Sequence, residues 1–381
     1  MPAESVRTAP GRRLALAAAV LLYTALLLEL GNRAYASFDS GLSFLAPNFK
    51  LSFYEEARPL VEREAPVVRD DATLDVLLLG GSVLYHPLAD VDDQLTAELG
   101  AALKRPVVVH NLAKPAHTSL DSLIKYRMFD RDRFDLVVFY HGINDARMNA
   151  APPDRFRDDY THGAWYARLQ AIDRHRELPW WVTPYVLHTL WIHLSEELGW
   201  AQYQPRHNPL DYWEVIEDYV RTDRTVRAHV TEICAIAAAR SDPLVLVTFA
   251  THLPPAYDLD RPSRQQRKGV DDFAGGGGSA LEMWGKPQTV MKAVALHNEV
   301  IRETARACPG ATLFDMAKRM PDDGALFTDV CHLSQQGADR YVELIVPALL
   351  DSLSASSTAS RFLSILPLSV NGSSSAAAKN Q

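Results

Sequence analysis

The sequence predicts an α/β fold in three layers, with an open parallel sheet covered by helices on both faces. Short apolar runs, such as Leu74–Leu79 and Leu136–Tyr140, are typical of strands buried on both faces, as in a parallel sheet. They alternate with segments of helical periodicity, such as residues 91–104, whose leucines recur every fourth position. This alternation favours a parallel sheet, whose ligand site lies outside the carboxyl ends of the strands.

The predicted elements follow in βα order through one domain of residues 71–353. The predicted strands are Leu74–Leu79, Pro106–Val109, Leu136–Tyr140, Pro243–Phe249 and Ala311–Met316. The predicted helices are 91–104, 119–128, 215–239, 287–307 and 334–353. Each strand is thus followed by a helix that can return the chain to the start of the next strand.

The N-terminus has the profile of an export signal. Three arginines among the first 13 residues precede an apolar run over residues 14–28. The run is about 15 residues long, shorter than the ~20 residues of a bilayer span but typical of a signal-peptide core. Residues 1–36 are therefore predicted to be a signal anchor, or a signal peptide cleaved near Ala36, with a buried core helix as the alternative. Either signal places the remaining chain outside the cytoplasm, anchored or secreted.

Three further segments lie outside the βα pattern. Residues 37–70 carry scattered Phe, Leu and Pro without a period, as expected of a linker. Residues 354–381 form a Ser/Ala-rich tail that is predicted to be mostly disordered. An insertion at about 146–213 is predicted to form a lid or side wall, and it contains six tryptophans: Trp165, Trp180, Trp181, Trp191, Trp200 and Trp213. Exposed tryptophans would contact sugars or lipid, but packing within a small helical subdomain is the better prediction for most of them.

Charge and cysteine content exclude some classes of function. The formal net charge of −8 leaves no broad basic field for phosphates, so no nucleic-acid partner is expected. The chain has three scattered cysteines, Cys234, Cys308 and Cys331. Three are too few for a zinc knuckle, and an odd number cannot form a closed disulfide framework. They are expected to be buried small apolar residues. Cys331 is also a weaker candidate nucleophile than Ser82, because it would need a separate base.

Ser82 follows two glycines at the carboxyl end of the first predicted strand. The Gly80–Gly81 pair allows the backbone to turn and present a hydroxyl beside the sheet. A Gly-rich turn in which Ser82 caps the next helix is the structural alternative. The G-x-G-x-x-G spacing of dinucleotide-binding sites and the G-x-S-x-G motif of α/β-hydrolases are both absent from the sequence at this position.

Polar residues also follow the second and third strands. In His141–Asp145, Gly142 permits close backbone approach and the Asn144 amide can donate to a developing oxyanion, a contribution of roughly 3–4 kcal/mol in preorganised sites. The alternative is a turn in which Asn144 and Asp145 cap a helix. The segment Asn111–Ala116 after the second strand could supply a backbone N–H to the same site, and it is the weakest of these signals.

Asp329 and His332 lie just before the last predicted helix. Their three-residue separation allows one short loop to hold the imidazole, with the carboxylate on one ring nitrogen and the serine hydroxyl at the other. A surface Asp beside a capping His is the alternative for any single D-x-x-H. Here the Asp329–His332 pair lies in the loop after the last predicted strand, and Ser82 lies at the end of the first one. This combination favours the catalytic interpretation.

In this order, the four segments resemble the four sequence blocks of the SGNH hydrolase superfamily, also called GDSL esterases and lipases. The resemblance covers about residues 75–350 and implies a flavodoxin-like SGNH hydrolase fold. It implies that Ser82, in a GGS variant of the family's GDS, is the nucleophile and that its N–H joins the oxyanion hole. Asn144 in GIND, beside Gly142, matches the oxyanion asparagine, and Asp329 and His332 match the acid and base.

One block departs from the family pattern. The family usually has an oxyanion-hole glycine some five residues after the asparagine of the second block, whereas this chain has Ala116. An alanine still offers its N–H if its φ is negative, so the contribution of Ala116 to the hole depends on its backbone conformation. The resemblance implies no metal or organic cofactor. A metal cluster near the strand ends is not favoured either, because the histidines there lack ligand spacing such as H-E-x-x-H: His86, His110, His117 and His141.

The expected function is an extracytoplasmic serine esterase that forms an acyl-enzyme on Ser82. Its expected partners are the membrane, through the N-terminal helix, and an ester-bearing small molecule, glycan or lipid. The substrate would carry an O-acetyl or other short acyl group, or be a lysolipid. An O-acyltransferase on the same triad and a non-catalytic carbohydrate-binding descendant are the alternatives.

Overall fold

A five-stranded parallel sheet forms the centre of the molecule. The computed structural model describes residues 10–70, 72–174, 181–204, 220–254, 257–259 and 281–365. The strands are β1 Leu74–Gly80, β2 Val107–Asn111, β3 Leu136–Tyr140, β4 Leu244–Val247 and β5 Ala311–Phe314. They pair in parallel in the order β2-β1-β3-β4-β5. This is the flavodoxin-like order, and the predicted fold class is confirmed.

The sheet order places a crevice between β1 and β3. From β1 the chain moves to β2 on one side and then returns to β3 on the other, so the direction of winding reverses at this pair. Gly80 lies opposite Tyr140 in the register, so both strands end at the same level. In open α/β sheets, this reversal point at the carboxyl ends is where ligands bind.

Helices cover both faces of the sheet. The helices are α1 Pro10–Ser40, α2 Arg58–Val61, α3 Val91–Leu103, α4 Ser119–Arg127, α5 Ile143–Asn149, α6 Ala164–Arg174, α7 Thr183–Glu197, α8 Thr222–Arg240, α9 Pro287–Ala307, α10 Met316–Arg319 and α11 Gln335–Ile365. Short 3₁₀ turns lie at Phe49–Ser52, Glu55–Ala57, Ser82–Leu84, Leu281–Met283 and Gly324–Leu326.

Alternate residues of the strands feed two apolar cores. Val76 and Val138 pack in one core with α3 and α11, whereas Leu77 and Val137 pack in the other with α4 and α8. Helix α9 contributes to both cores. Successive side chains of a strand point to opposite faces, so strands buried on both sides need the near-continuous apolar runs seen in the sequence.

Two segments are more ordered than the sequence indicates. The expected linker, 37–70, buries Leu51, Tyr54, Ala57 and Leu60 against the second core. Its 3₁₀ turns bury single residues at irregular spacing, which leaves no period to detect. At the other end, α11 continues to Ile365, well into the tail that was expected to be disordered.

All three cysteines are buried, as expected, but two of them are not the free apolar residues that the sequence predicted. Cys234 on α8 and Cys308 at the end of α9 form a disulfide, with their Cα atoms 5.8 Å apart. The two helices pack side by side on one face of the sheet, which brings together residues 74 positions apart in the chain. Cys331 is a buried free thiol, as expected.

The apolar half of the N-terminal helix, residues 14–28, is largely exposed and packs against little of the described chain. Residues 11–40 form a helix long and apolar enough to cross a membrane, with a mean hydropathy of 2.1 in its most apolar window. The large apolar side chains between Leu14 and Leu28 are all more than half exposed, so the alternative of a buried core helix is wrong. A signal peptide or a membrane anchor fits this exposure.

Candidate active site

Ser82 stands at the carboxyl end of β1, at the crevice between β1 and β3. It begins a 3₁₀ turn whose N-cap is Gly81, so the alternative in which Ser82 itself caps the helix is wrong. Gly81 has a φ of −98°, which any residue can adopt. A Cβ at this position would lie 3.2 Å from Asn144 Nδ2 and 3.4 Å from the His117 carbonyl oxygen, so a side chain here would crowd the Asn144 amide.

Ser82, His332 and Asp329 form a continuous hydrogen-bonded chain. His332 Nε2 lies 2.7 Å from Ser82 Oγ, across 250 positions of sequence, and His332 Nδ1 lies 2.7 Å from Asp329 Oδ2. An ionised carboxylate can only accept, so Nδ1 donates to Asp329 and Nε2 is left to accept the serine hydroxyl proton. This is the tautomer a general base needs.

The same loop fixes the Asp329 carboxylate and keeps it ionised. The backbone N–H groups of Cys331 and His332 donate to Asp329 Oδ1 at 2.9 and 2.8 Å. Burial alone would raise the pKa of Asp329, but the hydrogen bond and charge of His332, together with these N–H groups, hold the pKa below its ordinary value. Asp329 is therefore a charged acceptor for Nδ1–H at neutral pH.

Cys331 is poorly placed to act as a nucleophile. Its side chain is fully buried, and burial followed by the charge of Asp329 raises the pKa of the thiol well above its ordinary value. Sγ lies 3.8 Å from His332 Nδ1, the ring nitrogen already bonded to Asp329. The thiolate needed for attack is thus disfavoured beside a serine that already has its base.

Asn144 lies in the second position of α5, with its side chain at the same crevice. Nδ2 donates to the His117 carbonyl oxygen at 3.0 Å, and Trp284 Nε1–H donates to Oδ1 at 2.9 Å. An indole N–H can only donate, so Trp284 fixes which end of the amide is oxygen. The NH₂ group therefore faces Gly81, and the His117 carbonyl takes only one of its two N–H bonds.

Gly142 allows the turn between β3 and α5 to pack closely. It caps α5, and a Cβ built on it would lie only 2.2 Å from Phe249 Cγ. The Phe249 ring in turn stacks on Tyr140 at the end of β3. The expected close approach of the backbone at Gly142 is therefore made to a core aromatic ring, and it sets where Asn144 emerges.

Ala116 has a φ of +62°, in the left-handed region. The negative φ on which the contribution of its N–H to the oxyanion hole depended is therefore not present. An L-residue other than glycine is strained in this conformation by roughly 1–2 kcal/mol. The neighbouring His117 carbonyl, which accepts from Asn144, ties this loop to α5.

A buried carboxylate holds the loop that follows Ala116. Asp121 forms a capping box with Thr118, accepting its backbone N–H at 2.7 Å. It also accepts from Tyr54 Oη at 2.8 Å, from Tyr166 Oη at 2.6 Å and from Trp165 Nε1 at 3.0 Å. Burial would raise the pKa of Asp121, but the charge of His117 and these hydrogen bonds hold it well below its ordinary value.

A buried lysine completes the support under the same loop. Lys125 Nζ bonds His117 Nδ1 at 3.0 Å, Glu56 Oε1 at 3.2 Å and the Leu112 carbonyl oxygen. Full burial lowers the pKa of Lys125, although the charges of Glu56 and Asp121 oppose the change. Residues of the expected linker, Tyr54 and Glu56, thus support the loop that carries Ala116 and His117.

The four histidines near the strand ends have separate partners. His86 bonds Asp92, His110 bonds Asp75, His117 bonds Lys125 and His141 bonds Ser122. Among the described residues, the potential ligand atoms of Asp329, Cys331 and His332 do lie within 4.8 Å of one another, and so do those of His86, Asp92 and Asp93. The first set is the Ser82 site, where Asp329 and His332 already bond each other, and His86 in the second is exposed.

The tryptophans of the insertion divide into two groups. Trp165 packs edge-on against Phe53, and its ring centroid lies 6.0 Å from that of His117, in the loop that carries Ala116. Trp181, Trp191 and Trp200 are 45–65% exposed, so packing is the wrong prediction for these three. Trp180 and Trp213 lie outside the described residues, as do the Gly-rich stretch 275–278 and the basic stretch 261–268.

Sequence reasoning missed Trp284. It is buried, bonds Asn144 and lies 6.1 Å from the His332 ring between centroids. It is the one tryptophan outside the insertion, in the 3₁₀ turn region before α9. A single aromatic residue between a Gly-rich stretch and a helix carries no spacing that points to the site.

Solved structures to which the chain is similar bear the names of acyl-ester hydrolases. They include a lipase/acylhydrolase from Enterococcus faecalis (18% identity, 72% of this chain and 94% of that chain, TM-score 0.36) and a GDSL-like lipase from Bacteroides thetaiotaomicron (13%, 84% and 98%, TM-score 0.35). An acetyl xylan esterase shares 10% identity over 72% of this chain and 100% of its own, with a TM-score of 0.37. No protein-family model and no curated protein matches the chain. The assignment of the site depends on its own geometry.

Proposed function

We propose that this protein is a serine esterase of the SGNH class, with Ser82 as nucleophile. The observation that carries the proposal is the chain from Ser82 Oγ through His332 to Asp329, with both contacts at 2.7 Å. It joins three residues at the carboxyl edge of a flavodoxin-like sheet. A non-catalytic binding protein would have no need of a histidine held in the tautomer of a general base.

In the first half of the reaction, Ser82 Oγ attacks the ester carbonyl carbon while His332 Nε2 takes the hydroxyl proton. Asp329 stabilises the imidazolium through Nδ1–H without taking the proton itself. The carbonyl oxygen becomes an oxyanion, which Asn144 Nδ2–H and the backbone N–H of Ser82 stabilise. The intermediate collapses, His332 returns the proton to the departing alcohol oxygen, and the acyl group stays on Ser82.

In the second half, water replaces the alcohol. His332 takes a proton from water as the water oxygen attacks the acyl carbon, and the same donors hold the second oxyanion. Collapse returns the proton to Ser82 Oγ and releases the carboxylic acid. If a sugar hydroxyl replaced water in this half, the product would be a new ester, and the enzyme an acyltransferase.

The site of action is proposed to be outside the cytoplasm, with the protein anchored by α1. The exposed apolar half of α1 supports an anchor or an export signal. The Cys234–Cys308 disulfide supports the same location, because disulfides persist in oxidising compartments and are rare in the cytoplasm. The proposed substrate is a short-chain acyl ester, such as an acetylated glycan, or a lysolipid.

The test is hydrolysis of p-nitrophenyl acetate, butyrate and octanoate by the full chain in detergent, beside Ser82→Ala. The proposal expects turnover that the variant loses. Chain-length preference then separates a short-acyl esterase from a lysolipase. Adding an acceptor sugar separates hydrolysis from transfer, because a transferase would form acylated sugar at the expense of free acid. A folded wild-type chain that consumes no ester in either assay would overturn the proposal.

A further inference from the structure

Helix α7 has an apolar face that no part of the described chain covers. Its inward side packs Tyr185 and Ile192 against α6. Its outward side carries large apolar residues that are 47–58% exposed and recur at helical spacing: Leu187, Leu190, Trp191, Leu194 and Leu198. Trp200 follows, 65% exposed, with its ring centroid 5.8 Å from that of Trp191.

Such a stripe is unusual on a surface that faces only water. Single exposed leucines are normal, but a continuous row of leucines and tryptophans marks an interaction surface. Tryptophan is also the residue that concentrates where a bilayer meets water. The composition of the face therefore favours a lipid surface over an aqueous one.

The start of α7 is fixed to α1. The carboxylate of Glu29 accepts the N–H groups of Val182 and Thr183, each at 2.9 Å, and the Thr183 hydroxyl at 2.9 Å. Asn32, one turn further along α1, donates to Thr183 Oγ1 at 3.1 Å. These buried contacts join the two helices at one level.

That level is where α1 leaves the folded domain. Glu29 is buried, as are Arg33 and Ala36 later in the helix, whereas the large apolar residues from Leu14 to Leu28 are exposed. If the bare half of α1 spans lipid, Glu29 marks the point at which the helix emerges. Trp181, 45% exposed, stands beside this junction, and α7 begins there.

We infer that α7 rests on the lipid bilayer beside the anchor, with its outward face among the lipids. An amphipathic helix in this position lies in the interface with its apolar side among the acyl chains. The inference rests on the membrane anchoring proposed for α1 and extends it to a second segment. The insertion would then hold the domain against the membrane surface, where a lone helix would leave it free to tilt.

The test places a fluorescent label on the face. Leu194→Cys and Val108→Cys, on the edge strand β2, expose similar side chains at 47% and 42%. Cys331 is buried, and Cys234 and Cys308 form a disulfide. A thiol-reactive NBD label should therefore react with the introduced cysteine. The full-length variants are reconstituted into phosphatidylethanolamine/phosphatidylglycerol vesicles, with or without doxyl-labelled lipid, and matched thermal unfolding checks the fold.

If α7 rests on the bilayer, doxyl lipid should quench most of the NBD emission at position 194 and leave the emission at position 108 unchanged. Equal, water-like emission at both positions, in protein that floats with the vesicles, would overturn it while leaving the anchor intact. A shielded label at 194 that doxyl lipid does not quench would overturn it in favour of contact between protein chains. Loss of flotation would remove the anchor and this inference together, without bearing on esterase activity.

Discussion

The two sides of the Ser82 site are built in different ways. The loop with Asp329 and His332 closes through its own neighbours: Thr328 N–H donates to the His332 carbonyl at 2.8 Å, and the Asp329 carboxylate binds N–H groups within three residues. Asn144, on the oxyanion side, is held by Trp284, 140 positions later, and by His117, 27 positions earlier.

The difference affects how each side responds to change. The loop with Asp329 and His332 should keep its geometry better when distant parts of the chain move, because most of these constraints are local, although His252 N–H also donates to the Val330 carbonyl at 3.0 Å. The oxyanion side depends on several segments at once, including the buried charges of Asp121 and Lys125 and their partners in the first 60 residues. Changes far from Ser82 should therefore act on oxyanion stabilisation before they act on the general base.

The largest effect is expected at the general base. His332→Ala should lower kcat for p-nitrophenyl acetate by about 10⁴-fold or more, because it removes the imidazole nitrogen that accepts the Ser82 hydroxyl proton. His86→Ala, at an exposed histidine bonded to Asp92, is the matched control and should retain activity. Comparable losses in the two variants would contradict the assignment.

On the oxyanion side, Asn144→Ala should lower kcat by about 10²–10³-fold with little change in KM. The amide donates to charge that exists only in the transition state, so ground-state binding is spared. Steady-state kinetics on p-nitrophenyl butyrate separate the two parameters. A rise in KM alone would mean that Asn144 binds substrate and does not stabilise the oxyanion.

The buried carboxylate next to Asn144 should make stability depend on pH. Asp145 accepts from Ser119 N–H and Oγ, yet burial raises its pKa to about 7. The folded state thus holds this proton more tightly than the unfolded state, whose pKa is about 3.9. The contribution of Asp145 to stability is complete below about pH 4 and is lost as the pH rises to about 7, at up to about 1.4 kcal/mol per pH unit.

Asp145→Asn cannot ionise and removes this dependence. The free energy of unfolding of the variant, measured in urea at pH 5, 6, 7 and 8, should improve relative to wild type up to about pH 7 and then level off. A difference that stays constant across this range would show that Asp145 is ionised in the folded protein throughout.

A smaller effect is expected at Trp284. Trp284→Phe keeps an aromatic ring but removes the N–H that fixes the Asn144 amide, a loss of about 1 kcal/mol, or roughly fivefold in kcat. Added to Asn144→Ala, the same change should cost nothing further, because its effect passes through the amide. Additive losses in this double-mutant cycle would assign Trp284 a separate role.

The smallest effect is expected at the strained alanine. Ala116→Gly should raise the free energy of unfolding by up to about 1 kcal/mol, since relief of the positive φ exceeds the added chain entropy of glycine. Urea unfolding measures the change. If the variant is instead less stable, by the amount expected from the greater chain entropy of glycine, the Ala116 backbone is not strained in solution.

The sheet was accessible from sequence because its strands are short apolar runs between polar and glycine-rich segments. Leu136–Tyr140 and the helix Pro287–Ala307 have the predicted bounds. The carboxyl ends of parallel strands meet at one edge, so the rule that predicts the sheet also brings Ser82 and Asn144 together.

What sequence could not predict depends on contacts between distant segments. The Cys234–Cys308 bond requires two helices to be neighbours, and the role of Trp284 requires a loop to fold over Asn144. The conformation of Ala116 is imposed by its surroundings against the preference of the residue. Helix period and strand alternation hold no information on such pairs.

The most direct test of Ser82 as the nucleophile is to identify the residue that reacts covalently with an active-site probe. The full-length protein is treated with a fluorophosphonate, and the modified peptide is identified by mass spectrometry in wild type, Ser82→Ala and Cys331→Ala. One adduct is expected, on Ser82, and it should be lost in Ser82→Ala and retained in Cys331→Ala. An adduct that persists in Ser82→Ala, or a folded wild-type protein that takes up no probe, would contradict the claim that Ser82 is an activated nucleophile.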